Sequence, residues 1–139
     1  VTELHGGAGT QTAGLSFNGD GGQPPVNPTQ TEEYNGTSWS IGGANLKQGE
    51  GVASAGSQTA ALSFAGANPP ATNTAIVTGY DGTSWSTRPN MSTARWELSG
   101  GGTQTAGLAF GGASPSVTAA TEEFTGETST ANVETFSTS

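Results

Sequence analysis

The 139-residue chain repeats itself. Gly9-Thr-Gln-Thr-Ala-Gly-Leu-Ser-Phe17 returns as Gly56-Ser-Gln-Thr-Ala-Ala-Leu-Ser-Phe64 and again as Gly102-Thr-Gln-Thr-Ala-Gly-Leu-Ala-Phe110, at steps of 47 and 46 residues. A second block keeps the same step. Tyr34-Asn-Gly-Thr-Ser-Trp39 recurs as Tyr80-Asp-Gly-Thr-Ser-Trp85 and, more loosely, as Phe124-Thr-Gly-Glu-Thr-Ser129. The chain therefore divides into three units, 1–47, 48–93 and 94–139, forming one repeat domain. A fixed period of this size marks an array whose units each bury a hydrophobic face only against their neighbours.

Within a unit, Ala13, Leu15 and Phe17 alternate with Gly14 and Ser16, the period of two that places apolar groups on one face of a strand. The other face carries only small residues, which suits close approach by a second sheet. Asn35-Gly36 and Asp81-Gly82 tolerate positive φ at both central turn positions and so predict tight hairpins, with strands over 29–34 and 38–40 in the first unit. Upstream of each Gly-x-Gln-Thr block lies a first-strand candidate, at 2–7, 50–54 and 95–100. Four strands per unit, joined in order, make an antiparallel meander. No stretch shows apolar residues at helical spacing, and 23 glycines oppose helix, so the expected class is all-β. Leu15, Leu62, Leu108, Phe17, Phe64, Phe110, Trp39 and Trp85 are the expected filling between sheets.

Charge excludes some partners. Eleven carboxylates face three basic residues, Lys47, Arg88 and Arg95, so the surface repels phosphate backbones and nucleic acid is not expected as a partner. No apolar run approaches the roughly 18 residues of a spanning helix, and membrane insertion is not expected. Without cysteine there is no disulfide, thiolate metal site or cysteine nucleophile. The chain starts at Val1 without methionine, as a processed or partial product would.

Catalytic chemistry finds little to work with. Glu32-Glu33 and Glu122-Glu123 are adjacent, and neighbours on a strand point to opposite faces, so a solvated edge is expected instead of a glycosidase dyad. His5 is the single histidine. Its counterparts in the other units are Val52 and Leu98, which predicts a partly buried strand position and no metal site. Asn18-Gly-Asp-Gly-Gly22 is a thin calcium-loop candidate. No Gly-x-Ser-x-Gly elbow occurs, and the glycine runs open no helix. No catalytic residue, cofactor or metal is expected.

Reading a unit from Asn90 gives Asn-Met-Ser-Thr-Ala-Arg95, a short strand, Leu108-Ala-Phe-Gly-Gly112, a loop, and an aromatic before the final hairpin. This resembles the kelch motif, in which a basic residue precedes the first strand and a Gly-Gly pair closes the second. Gly111-Gly112 aligns with Asn18-Gly19 and Ala65-Gly66, and Arg95 with Gly49 and Thr2. The resemblance implies four-stranded blades around an axis, a β-propeller. Three blades fall short of the usual four to eight, so closure would come from more chain or from oligomerisation. A β-prism, with three sheets as sides of a column, is the alternative. The turn at Asp81 is also similar to the Asp box of sialidases, one residue short, but the chain has two arginines where those enzymes use three.

The units as worded in Gly102-Thr-Gln-Thr-Ala-Gly-Leu-Ala-Phe-Gly-Gly112 and Thr31-Glu-Glu-Tyr-Asn-Gly-Thr-Ser-Trp39 carry a closer likeness. Their wording resembles the kelch-like repeats of aquatic bacteriophage structural proteins. That resemblance implies a non-enzymatic virion component, a tail fibre, appendage or capsid decoration, at the virion or an extracellular surface. The implied partners are copies of itself, other virion subunits, or a host surface glycan. Trp96 stands where the other units have Glu3 and Glu50, so it is not needed by the repeat and could stack on a sugar. Asp20, Asn68, Asn73 and Ser114, in the variable loops 18–29, 65–74 and 111–119, complete the candidate binding set. The alternative function is a lectin module on a phage or bacterial surface.

Overall fold

Alternating small and apolar residues, punctuated by turn glycines, give strands throughout. A computed structural model describes residues 3–20, 29–68 and 72–126 and the backbone of 135–138, and no helix occurs among them. The first sheet holds β1 (Gly6–Thr10), β2 (Ala13–Phe17), β3 (Thr31–Tyr34) and β4 (Trp39–Ile41). The second holds β5 (Ala53–Ser57), β6 (Ala60–Phe64), β9 (Val77–Tyr80) and β10 (Trp85–Arg88). Between β6 and β9 the chain makes a small separate hairpin of β7 (Ala67–Asn68) and β8 (Thr72–Asn73). The third sheet holds β11 (Ser99–Gly102), β12 (Ala106–Phe110), β13 (Thr121–Thr125) and β14 (Thr135–Thr138). Every four-stranded sheet is an antiparallel meander drawn from one repeat unit.

The first strands start three or four residues later than the sequence predicts. Leu4, Gly51 and Glu97 have φ of 54°, 60° and 51°, which breaks the extended chain before each of them can begin. The strands instead run on through the glycine of the Gly-x-Gln-Thr block, and the reversal falls at Gln11-Thr12 and its equivalents.

β5 lies between β1 and β11, so the three sheets converge on their first strands and stack face to face. Leu15 and Phe17 of the first sheet pack on Val52, Ala61, Tyr80 and Trp85. Phe17 meets the Trp85 ring edge-on at 4.9 Å. Leu62, Phe64 and Val77 of the second sheet pack in the same way with Leu98, Ala109 and Phe124. Each such Leu or Phe, removed from water, stabilises the stack by about 1.5–3 kcal/mol. The small face is what allows it. A Cβ on Gly107 would stand 3.0 Å from both Leu62 Cδ1 and Phe64 Cζ, so the third sheet can approach only because that position has no side chain.

Three expected fillers are not buried. Trp39 is 53% exposed, Leu108 39% and Phe110 42%. The physical reason is position in the array: Trp39 faces away from the second sheet, and Leu108 and Phe110 face away from it on the other side. Each lacks the neighbour that covers Trp85, Leu62 or Phe64. His5 is likewise exposed, whereas Val52 and Leu98 are buried between sheets.

Candidate binding rim

Each second strand ends in a pair of residues with positive φ, Asn18-Gly19, Ala65-Gly66 and Gly111-Gly112. The second member must be glycine. A Cβ on Gly66 would lie 2.6 Å from Val52 Cγ1, and one on Gly112 2.6 Å from the Trp96 carbonyl. The reversed chain then forms a bridge with the segment before the first strand, pairing Glu3 with Asp20, Glu50 with Ala67, and Trp96 with Ala113. These three bridges define one rim.

Trp96, Asn73 and Ser114 come together there. The Trp96 N–H donates to the Ala113 carbonyl at 3.2 Å, the Asn73 Nδ2 donates to the same oxygen at 3.4 Å, and Ser114 follows directly, its N–H bonded to the Ser116 carbonyl. Asn68 sits one hairpin position away, opposite Thr72, with its Oδ1 buried and without a hydrogen-bond partner among the described residues. Asp20 lies at the first bridge, with Glu3, in a different unit from the other four. The loop segments 21–28 and 69–71, on which part of the rim was expected, lie outside the described residues. Trp96 is half-buried, with its backbone rather than its ring fixing the bridge.

Under the rim lie buried polar groups that the sequence reading placed wrongly. Arg95 is fully buried and pairs with Glu122 at 2.9 Å, so Glu122 belongs to no solvated edge. Arg95 Nη1 also donates to the Gly111 and Ala120 carbonyls. The counterpart of Arg95 is neither Gly49 nor Thr2. It is Lys47, buried in the preceding linker, whose Nζ donates to the Ala65 carbonyl, the equivalent of Gly111. Burial pushes the Lys47 ammonium down to about 7. In place of a carboxylate it has a neutral network: Asn45 Nδ2 donates to Asn18 Oδ1 at 2.7 Å, Asn18 Nδ2 to the Lys47 carbonyl at 2.8 Å, and Thr78 Oγ1 to Asn45 Oδ1 at 2.9 Å. The two basic residues stand 48 apart, two more than the 46-residue step from Gly56 to Gly102.

Two other acids have partners elsewhere. The Tyr80 hydroxyl donates to Glu33 Oε1 across the sheet interface. Asp81 Oδ1 accepts from the Thr83 and Ser84 N–H groups, which hold its carboxyl below the usual range, and Asn35 closes its own hairpin in the same manner. Among the described residues no group of three or more His, Asp or Glu could hold a metal ion, and no helix is long and apolar enough to cross a membrane. At the opposite end of the sheets, a cleft of about 310 Å³ between the β5–β6 and β11–β12 turns is lined by Gly56, Ser57, Thr103 and Gln104, without a charged group.

No family model matches the chain, and no curated protein does. Among solved structures, it is similar to that of YjhT, with a TM-score of 0.77 at 13% sequence identity. The match covers 98% of this chain and 45% of that one, so the chain spans less than half the length of YjhT. The likeness shows a shared all-β fold.

Proposed function

We propose that the three sheets are kelch-like propeller blades, and that the protein is a non-enzymatic structural or attachment component of a virion. The observation that carries the blade reading is convergence: three four-stranded meanders stack through Leu and Phe on one face and small residues on the other, with their first strands adjacent. The Gly-Gly corner and buried basic residue of the resemblance have physical roles here, the corner in turning the chain and the cation in holding its carbonyl. The virion assignment is supported by the wording of the repeats. An acidic, Ser/Thr-rich chain without cysteine suits an exposed exterior. Mass spectrometry of purified phage particles from the host carrying this gene tests it. Abundance comparable to other structural subunits is expected, and absence from purified particles would overturn the assignment.

A second reading, a lectin module, is favoured by the meeting of Trp96, Asn73 and Ser114 at one rim. Glycan-array binding that is lost on Trp96→Ala supports it. A blank array, with normal incorporation into particles, supports the structural role alone.

A further inference from the structure

The two outer faces of the stack are made like the two halves of one interface inside it. Where the second sheet covers the first, the Tyr80 hydroxyl donates to Glu33 and the Trp85 indole N–H donates to Thr31 Oγ1 at 2.9 Å. Glu33 and Thr31 are the register partners of Leu15 and Phe17. On the uncovered face of the third sheet, the register partners of Leu108 and Phe110 are Glu123 and Thr121, the same carboxylate and the same hydroxyl. On the uncovered face of the first sheet, Tyr34 is paired with Trp39 as Tyr80 is with Trp85. The ring centroids are 5.2 and 5.0 Å apart, and both pairs are inclined at 37°.

The interface between the second and third sheets lacks this set on both sides at once. Leu62 and Phe64 have Gly79 and Val77 opposite them, and the places of Tyr and Trp in β13 and β14 are held by Phe124 and Phe136. Donor and acceptor are thus absent together where the third sheet meets the second, and present together on the two faces that no sheet among the described residues covers. This pairing of distant ends of one chain is what an interface between them requires.

Two further series end on the same faces. Gln58 Nε2 reaches back to the Gly14 carbonyl at 3.0 Å and Gln104 Nε2 to the Ala61 carbonyl at 3.1 Å. Gln11 and Gly107 are the outermost members of that series, and beside Gly107 the third sheet has a depression of about 240 Å³ floored by Leu108 and Glu123. The Gly51 N–H donates to the Leu4 carbonyl and the Glu97 N–H to the Gly51 carbonyl, at 2.8 and 2.9 Å, a chain that starts at Leu4 and stops at Glu97.

We propose that the Tyr34/Trp39 face of one copy docks on the Leu108/Phe110 face of a second copy, head to tail, so that two chains close one ring. The Tyr34 hydroxyl then meets Glu123, the Trp39 indole meets Thr121, and the Gln11 amide enters the depression beside Gly107. A head-to-tail contact either closes or grows into a fibre. Closure by two copies is favoured because two chains of three four-stranded sheets give six, within the roughly four to eight that close a propeller, whereas one chain supplies too few. The contact does not depend on which particle or surface the protein serves.

Light scattering after size exclusion, on the 139-residue protein at micromolar concentration, tests the ring. A single species with the mass of two chains is expected. A single-chain mass would overturn the proposal and leave the faces to another protein or to further units of a longer chain; a ladder of higher masses would overturn closure. Trp39→Asp disables the head and Phe110→Asp the tail, and each alone is expected to run as a folded single chain by circular dichroism. Mixed together they should recover a two-chain species, because each retains the face that the other has lost. A head-to-head or tail-to-tail contact would instead leave one variant paired on its own, and that result sinks the proposal. Glu123→Lys, at an exposed position, is a second tail variant and should behave as Phe110→Asp does.

Discussion

Arg95 and Glu122 lie 2.9 Å apart with both side chains sealed between the second and third sheets. The pair ties together three separate stretches of chain. Arg95 holds the Gly111 and Ala120 carbonyls that flank the loop leaving β12, and Glu122 Oε2 accepts the Ser92 N–H of the linker at 2.6 Å. It therefore fixes the linker, the loop and β13 at one point beneath the rim.

Removing one member of a sealed pair leaves the other charged and without compensation. Arg95→Met is expected to lower the unfolding free energy by about 3–5 kcal/mol. Arg95→Lys should cost less, since Lys47 already satisfies the equivalent carbonyl in the neighbouring unit. Urea unfolding midpoints check both. A loss under about 1 kcal/mol for Arg95→Met would mean that the pair is worth no more than one in water.

Lys47 makes stability depend on pH in a definite direction. Its pKa is pushed down from 10.5 to about 7 by burial. Between those values the unfolded chain binds more protons than the folded one, so stability rises with pH across that window and is lowest below it. Lys47→Met should abolish most of this rise, which amounts to on the order of 1 kcal/mol per pH unit at its steepest. Denaturation at a series of pH values from neutral upward measures it, and parallel curves for the two proteins would refute the assignment.

Much of this architecture could be read from the chain before any coordinates. The repeat step, the Leu15/Phe17 alternation and the Asn35 and Asp81 hairpins all follow from local chemistry, because turns and strand faces are set by residues close in sequence. The exposure of Trp39, Leu108 and Phe110 could not be read so, since an identical motif is covered in one unit and open in another according to its place in the stack. Lys47 was hidden because it stands nine residues before Gly56 where Arg95 stands seven before Gly102, in linkers of equal length. The pairing of Glu122 depends on Arg95, 27 residues away, and no periodicity encodes it. At the rim, the meeting of Trp96 with Asn73 required the β7–β8 hairpin, which the third unit reduces to a single bridge between Ala113 and Val117.

Two glycines on the third sheet should respond oppositely to a methyl group. A Cβ on Gly107 presses on Leu62 and Phe64 at 3.0 Å, whereas one on Gly101 meets nothing within 4 Å. Gly107→Val is expected to cost about 1–3 kcal/mol by overpacking. Gly101→Ala should be neutral or stabilising by up to about 1 kcal/mol, through lost freedom of the unfolded chain. Thermal unfolding of the two variants separates them, and equal destabilisation would contradict the packing described.

Tyr80 supplies a titration marker for the first interface. Burial, reinforced by its hydrogen bond to Glu33, pushes the phenol up to about 12. The raised value means that its contribution to stability is full below pH 10 and disappears as pH climbs through about 12. Ultraviolet titration should show a late phenolate step that Tyr80→Phe removes. Persistence of that step in the variant would assign it to another group.

The reaching glutamines give the stack a direction. Gln58 and Gln104 each grip the unit before them, so every period carries its own hook and its own eye. Duplicating or deleting a whole period leaves every hook with an eye in register, while a cut anywhere else strands one of them. Gene segments encoding such a chain can therefore lengthen or shorten by complete periods and keep the glutamine contact at each joint.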